Sequence, residues 1–222
     1  MKYFNQKTLS FLRELPQNNN REWFNANKET YKKEVETPFK TFISDLIIEL
    51  QPYIPELFVE AKECVFRIYK DVRFSKDKTP YKNHVSAVVS KGGRKDKTTP
   101  GAYIQISGED IRLYSGCFVL TPTQREQIRI SIYKNLDSFN SIIYNPSFVK
   151  TFNEVRGEKY KKIPSPYIES AEIQPLLLNK SFYFYEKYKL ELALSSKLLE
   201  TIVNDYKQAI QINEFLREVL KK

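Results

Sequence analysis

The chain opens with apolar residues at helical spacing, which predicts an amphipathic helix that ends at Pro16. The apolar positions of this helix are Leu9, Phe11, Leu12 and Leu15. A second helix is predicted directly afterwards, with Asn19 as its N-terminal cap and Glu22 three residues later in a capping-box arrangement.

The clearest amphipathic stripe in the sequence follows Thr37, which we predict to cap a third helix with Pro38 at its first helical position. Its apolar residues lie at i, i+3, i+4, i+7, i+8 and i+11, spacing that places them on one helix face. These residues are Phe39, Phe42, Ile43, Leu46, Ile47 and Leu50. Pro52 and Pro55 end the pattern.

The middle of the chain changes from helical spacing to alternation, which predicts β-strands. The four strand candidates here are residues 64–69, 85–89, 102–106 and 111–114. Glycine-containing turns separate the later candidates, and no connection has the pattern of a crossover helix. An antiparallel meander is therefore predicted rather than a parallel sheet.

The last third returns mainly to helical patterns. Thr121 and Gln124 form a capping box around Pro122, and Pro146 opens a further short helix. An aromatic strand is predicted at 182–185 and a closing helix at 199–220. The expected fold is α+β: a single domain, 1–222, whose mainly antiparallel central sheet is flanked by N-terminal and C-terminal helices.

Composition adds exclusions to this picture. The chain has 222 residues and is 41% hydrophobic, enough to bury a core without metal or disulfide staples. Two cysteines and one histidine make neither a disulfide framework nor a tetrahedral zinc site, so no metal is expected. The sequence has no signal-peptide pattern and no apolar run of ~18 residues, which predicts a cytoplasmic protein that does not cross a membrane.

Charge is distributed unevenly. Residues 61–97 hold eleven Lys and Arg residues, the last of them Lys97, and four acids, a net charge of +7 out of +9 for the chain. A local excess of this kind attracts anions such as phosphates or nucleic acid, although a solvated pair of loops accounts for it equally well.

The basic segment, residues 67–82, leaves one predicted strand and enters another, a common placement for binding residues. It combines cations with hydroxyl groups and with Phe74, an aromatic side chain that can anchor a loop or stack on a base. Its two aspartates either hold the cations in place or ligate a hard metal such as Mg²⁺. The predicted ligand-binding residues are Arg67, Lys70, Asp71, Arg73, Ser75, Lys76, Asp77, Lys78, Tyr81 and Lys82.

Motifs for catalysis are missing from the sequence. The basic segment lacks the glycines of a phosphate-cradling loop, and no nucleophile elbow or zinc-protease motif occurs. His84 is chemically suited to general-base work, but a lone histidine in a strand is more often structural, and nothing pairs Cys117 with a base. Cofactors, catalytic residues and oligomeric state are therefore left unassigned.

Three functions remain open. The first is binding of a phosphorylated or otherwise anionic ligand, nucleic acid included, by the basic segment. The second is an enzyme that acts on a phosphorylated substrate with Asp71 or Asp77 as acid, base or metal ligand. The third is a structural or interaction protein, in which an Arg–Asp network fixes the fold and is costly to break if buried.

Two sequence motifs resemble a widespread bacterial and fungal family of unknown function. The first joins Phe11-Leu12 to the run Asn18–Phe24, and the second is the whole segment Arg67–Lys82. Relatives usually have Arg in place of Lys70, and Pro-Lys-Gly followed by Asp-His-Pro where this chain has residues 163–167 and 170–172. The resemblance implies a shared fold and a shared central segment, and it implies no activity.

Overall fold

The computed structural model describes residues 1–96 and 98–221, and it confirms an α+β fold. Within these residues a four-stranded antiparallel sheet has the order β1-β2-β3-β4, so neighbours in the sheet are also consecutive strands in the chain. A tight turn joins the second strand to the third, whereas residues 118–181, which include several helices, separate the third from the fourth. Its strands are β1 His84–Val89, β2 Ala102–Ser107, β3 Asp110–Cys117 and β4 Phe182–Lys189. Four of the five strands predicted from sequence alternation are thereby confirmed.

Helices precede and follow the strands in the chain. Those before the sheet are α1 Gln6–Glu14, α2 Arg21–Ala26, α3 Lys28–Thr30, α4 Thr37–Leu50 and α5 Ala61–Cys64. Those after β3 are α6 Pro122–Lys134, α7 Leu136–Ile143, α8 Pro146–Phe152, α9 Ile168–Ile173, α10 Leu198–Lys207 and α11 Ile210–Leu220. No helix in the described ranges is long and apolar enough to cross a membrane.

Contacts within the chain divide it into two compact units. Unit 1 comprises Met1–Lys95, Tyr103–Leu113 and Lys187–Asn204, and unit 2 comprises Asp96–Ala102, Tyr114–Glu186 and Asp205–Lys222. A single domain over 1–222 stays a prediction.

The core of unit 1 forms where α4 packs on β1. All six residues of the predicted α4 stripe are buried, because helical spacing places them on the face that meets the sheet. A second apolar cluster joins Phe11, Phe24 and Tyr31, whose ring centroids lie 5.3–6.3 Å apart. The N-terminal helices are thus held together mainly by aromatic packing.

The core of unit 2 lies among α6, α7 and α11. The predicted capping box at the start of α6 is confirmed, since Thr121 accepts a hydrogen bond from the Gln124 N–H and the Gln124 side chain accepts one from the Thr121 N–H. Phe148 and Phe152 each pack edge-on against Phe184 and lie tilted against one another, which adds an aromatic cluster.

The strand predicted at 64–69 is wrong. A capping box between Glu60 and Glu63 forms one turn of helix that ends at Cys64. Beyond it only isolated bridges form, Val65 with Ala87 and Tyr69 with Tyr81. Between these bridges one arm advances four residues and the other six, so the ladder cannot stay in register and no continuous strand results.

Three helix boundaries also differ from the predictions. Asn20, rather than Asn19, caps α2 by accepting a hydrogen bond from the Trp23 N–H. Thr37 caps nothing, because a wide helical turn over Tyr31–Glu36 runs directly into α4 ahead of Pro38, which has no N–H to donate. The predicted closing helix is interrupted near Ala209 and forms α10 and α11.

Candidate functional site

The basic segment folds back on itself as an irregular hairpin in unit 1. The Lys82 N–H donates to the Ile68 carbonyl at 2.8 Å, and the Lys70 N–H donates to the Pro80 carbonyl at 2.8 Å. These bonds and the Tyr69–Tyr81 bridge pair the two arms, leaving residues 71–79 as the tip. We call residues 67–82 the basic hairpin.

Asn19 fastens the basic hairpin to the N-terminal helices. Its side-chain oxygen accepts from the Tyr81 N–H at 3.0 Å, and its amide nitrogen donates to the Tyr81 carbonyl at 2.9 Å and to the Asn83 side chain at 2.8 Å. Both backbone groups of Tyr81 are therefore satisfied by one side chain. The sequence motifs flagged the Asn18–Asn20 run, but its spacing gave no sign of a partner 62 residues away.

Tyr81 is an anchor of the basic hairpin. Its side chain is only 2% exposed, and its ring stacks on Phe24 with centroids 4.0 Å apart and planes inclined by 17°. Tyr69 packs against the same pair from the other arm. Tyr81, predicted to contact a ligand, thus lies in the packing beneath the hairpin.

The two aspartates of the hairpin each hold a cation. Arg73 donates Nε and Nη2 to Asp71 at 2.9 and 2.7 Å, and these bonds lower the pKa of Asp71 to about 2. Lys70 donates to Asp77 at 2.7 Å, and together with Thr79 it lowers the pKa of Asp77 well below its usual range. Both carboxylates are occupied by protein donors.

Internal hydrogen bonds shape the tip of the basic hairpin. Lys78 donates to the Val72 carbonyl at 3.0 Å, and the Ser75 hydroxyl accepts from the Asp77 N–H at 3.1 Å. Across the described ranges no side chain forms an ion pair or hydrogen bond with the exposed Arg67 or Lys76. Both side chains are therefore open to solvent, and Arg67 interacts with the Asp71 carboxylate only through its charge.

Phe74 is the most exposed large apolar side chain near these charges. It is 95% exposed at the tip, and the Arg73 guanidinium lies 5.8 Å from its ring centre. Lys82 lies closer to the base of the hairpin, with its ammonium 4.9 Å from the Phe66 ring, and burial and the neighbouring Arg67 lower its pKa. The hairpin thus presents an aromatic ring among cations.

The match to known families covers the whole hairpin and most of the chain. A single family model spans residues 7–215. The chain belongs to the DUF2461 family. The family is described as a conserved hypothetical protein, so its description brings no activity to this member. No curated protein matches the chain.

Of the two predicted departures of this DUF2461 chain from its relatives, Lys70 lies in the basic hairpin of unit 1, and the stretch 163–172 lies in unit 2. Residues 165–167 form a short helical turn that leads into α9, and Tyr167 donates its hydroxyl to Glu126 on α6 at 2.8 Å. Arg129 packs 5.8 Å from the Tyr167 ring and forms an ion pair with Glu126.

Other candidate chemistry in this DUF2461 member is limited. No group of three or more potential metal ligands comes together in the part of the chain that the structure describes, and Lys97 of the basic region lies outside it. Burial raises the pKa of Cys64 and of Cys117 to about 12, so neither thiol is a nucleophile near neutral pH. His84, the first residue of β1, is half-buried, with a pKa lowered to about 4.

Replacing Arg73 with glutamine is expected to leave thermal and chemical stability at the wild-type level. The Asp71–Arg73 pair is surface-exposed, with 76% of the Arg73 side chain accessible. Solvent therefore screens the two charges, and both are hydrated in the folded and in the unfolded chain, so the pair adds little to the free energy of unfolding. Urea denaturation followed by tryptophan fluorescence measures this. A clear drop in the midpoint would instead support the structural Arg–Asp network.

Proposed function

We propose that this protein binds single-stranded nucleic acid through the tip of the basic hairpin. The observation that carries the proposal is Phe74, which is 95% exposed beside the guanidinium of Arg73. Exposing an aromatic ring to water is unfavourable compared with burying it. Every nucleobase has a flat face that can stack on the ring and remove its surface from water. Stacking of this kind needs an unpaired base, so a single strand fits better than a duplex.

The cations around Phe74 supply phosphate contacts. The basic hairpin has six cationic side chains and two aspartates, a net charge of +4 over sixteen residues. Arg67 and Lys76 are exposed and form no ion pair among the described residues, while the Arg73 guanidinium lies 5.8 Å from the centre of the ring. Contacts with about four phosphates are expected to give a slope near −3 in the logarithm of affinity against the logarithm of salt concentration.

The internal pairs of the basic hairpin support this function indirectly. Asp71 holds Arg73 in a bidentate pair, and Asp77 and Thr79 hold Lys70, so these side chains lose little rotational freedom when a ligand arrives. The same pairs weaken the enzymatic alternative, because both aspartates already accept hydrogen bonds from cations. A ligand would add to a preformed surface rather than order a flexible one.

Replacing Phe74 with alanine is expected to weaken binding of a short single-stranded RNA by about 5- to 100-fold, the value of one lost base stack. Fluorescence anisotropy at two salt concentrations measures the affinity and the salt slope of wild type and variant. The F74A variant should keep the wild-type slope, because its phosphate contacts are intact. Combined replacement of Lys76 and Lys78 should do the reverse and flatten the slope.

Phe58 provides a matched control. It is 87% exposed in the same unit but lies between Glu56 and Glu60, so Phe58→Ala removes an equally exposed ring from acidic surroundings and should leave affinity unchanged. Absence of binding to RNA and DNA single strands at low salt would refute the proposal. If wild type bound duplex DNA as tightly as single strands, and F74A bound single strands as tightly as wild type, stacking on Phe74 would be refuted. Binding would then be due to charge only.

A further inference from the structure

A cleft of about 560 Å³, with polar and apolar surface in similar amounts, lies in unit 1, and none of its lining residues belongs to the tip of the basic hairpin. It is lined by the C-terminal end of α1, the start of β1, and β2, β3 and the turn between them. Its volume falls within the range of about 300–1,000 Å³ that is typical of small-molecule sites. Leu12 and Pro16 form an apolar part of the lining, and most of the other lining residues are polar.

The width of the cleft is fixed by close backbone packing. A Cβ atom on Gly108, in the β2–β3 turn, would lie 2.6 Å from the Leu12 carbonyl oxygen, so only glycine allows α1 to approach the turn this closely. The Arg13 side chain donates to the Gly108 carbonyl at 3.4 Å. The polar groups therefore line a preformed space.

A buried carboxylate orients one arginine of the cleft. Asp110 is 1% exposed and accepts from Arg112 Nε at 3.1 Å and from Arg112 Nη2 at 2.8 Å. Lys187 lies 3.1 Å from the same carboxylate, so two cations share one buried negative charge. The bidentate bond fixes the plane of the Arg112 guanidinium at the cleft wall.

His84 lies in the same lining, and cations surround it. Burial is the largest cause of the lowered pKa of His84, and the charges of Lys82, Lys70 and Arg112 lower it further. The Asp110 carboxylate raises this pKa, but only enough to offset part of the shift. The imidazole is therefore neutral near pH 7 and lies in a positive field, the environment in which an anionic ligand gains most. Arg13 adds a further cation at the opposite wall, on α1.

We infer that this cleft binds a small phosphorylated sugar. Arg13 and Arg112 supply charged donors for a phosphate group, and His84 supplies a neutral ring nitrogen beside them. Asn83, Gln105 and Glu109 place amides and a carboxylate in the same lining, and these groups suit sugar hydroxyls. The inference does not rest on nucleic-acid binding, because none of these residues belongs to the tip of the hairpin.

Isothermal titration calorimetry with ribose 5-phosphate, inorganic phosphate and ribose tests this inference. Ribose 5-phosphate is expected to bind with one-to-one stoichiometry, at least 5-fold more tightly than inorganic phosphate, and ribose is expected to give no measurable heat. Arg13→Gln and His84→Asn should each weaken ribose 5-phosphate binding at least 10-fold. Arg13 is exposed, so its replacement spares the buried Asp110–Arg112 pair and the fold.

Lys7→Gln is the matched control, since Lys7 is an exposed cation on α1 outside the cleft lining, and its replacement should leave binding unchanged. Failure of ribose 5-phosphate and phosphate to bind at millimolar concentration would overturn the inference. So would binding that R13Q and H84N leave intact. Phe74→Ala separates the two proposals, because it should leave ribose 5-phosphate binding at the wild-type level.

Discussion

Replacing Tyr81 with alanine is expected to lower the free energy of unfolding by about 3–5 kcal/mol. The Tyr81 ring is almost fully buried and stacks on Phe24, and Tyr69 packs against both rings, so truncation leaves a cavity lined by aromatic rings. Backbone bonds to Asn19 limit how far the chain can move to fill that cavity. Urea denaturation followed by the fluorescence of Trp23, the sole tryptophan, measures the loss.

Two variants bracket this result. Tyr81→Phe keeps the ring and the stack, so its stability should lie far closer to wild type than that of Tyr81→Ala. Tyr69→Ala removes a ring that is 45% exposed and should cost less, because less apolar surface returns to water. Wild-type stability of Y81A would show that the hairpin is not anchored by this stack.

The same anchor links folding to function. Tyr81 can affect the proposed binding without touching a ligand. It lies in one arm of the hairpin and pairs with Tyr69 in the other arm, and the two arms together support the tip that carries Phe74. In the proposed binding of nucleic acid, loss of the stack would remove the support beneath that tip and add the entropy cost of ordering the arm to the binding free energy. Tyr81 was predicted as a binding residue from its hydroxyl group and its aromatic ring, and the structure buries that ring.

Local patterns predicted most of the elements correctly. The α4 stripe, the Thr121 capping box and the alternation in β2 and β3 depend on neighbours a few residues apart, and a single sequence contains that information. The strand predicted at 64–69 failed for a reason outside its own alternation. Its pairing with residues 81–87 is out of register by two residues, and this mismatch is visible only once both arms are in place.

The candidate site divides in the same way. The basic segment was recognisable from charge, and the Asp71–Arg73 pair joins residues two apart. The hydrogen bonds between Asn19 and Tyr81 and the Phe24–Tyr81 stack join positions about sixty residues apart, and local spacing in the sequence does not reveal such contacts. The cleft was missed entirely, because α1, β1 and β3 contribute to it from separate parts of the chain.

Lowering the pH from about 6.5 to 4 is expected to remove about 2–3 kcal/mol of stability through His84 alone. The folded pKa of His84 is about 4, below the value of about 6.5 for a histidine in an unfolded chain. Between these values the unfolded chain binds a proton that the folded chain does not, so protonation favours unfolding. The contribution is fully present above pH 6.5, is lost progressively as the pH falls, and changes no further below about 4.

The difference between wild type and His84→Asn isolates this effect from other groups. Asp71 and Asp77 have lowered pKa values and lose their contributions below about pH 4, outside the histidine window. Urea denaturation at several pH values should therefore show a wild-type stability that falls more steeply than that of H84N between pH 6.5 and 4, and parallel curves above it. Parallel curves throughout would place His84 in solvent rather than among Lys82, Lys70 and Arg112. A saturating anion in the cleft should shrink the difference, because a bound negative charge raises the pKa of the imidazole toward its ordinary value.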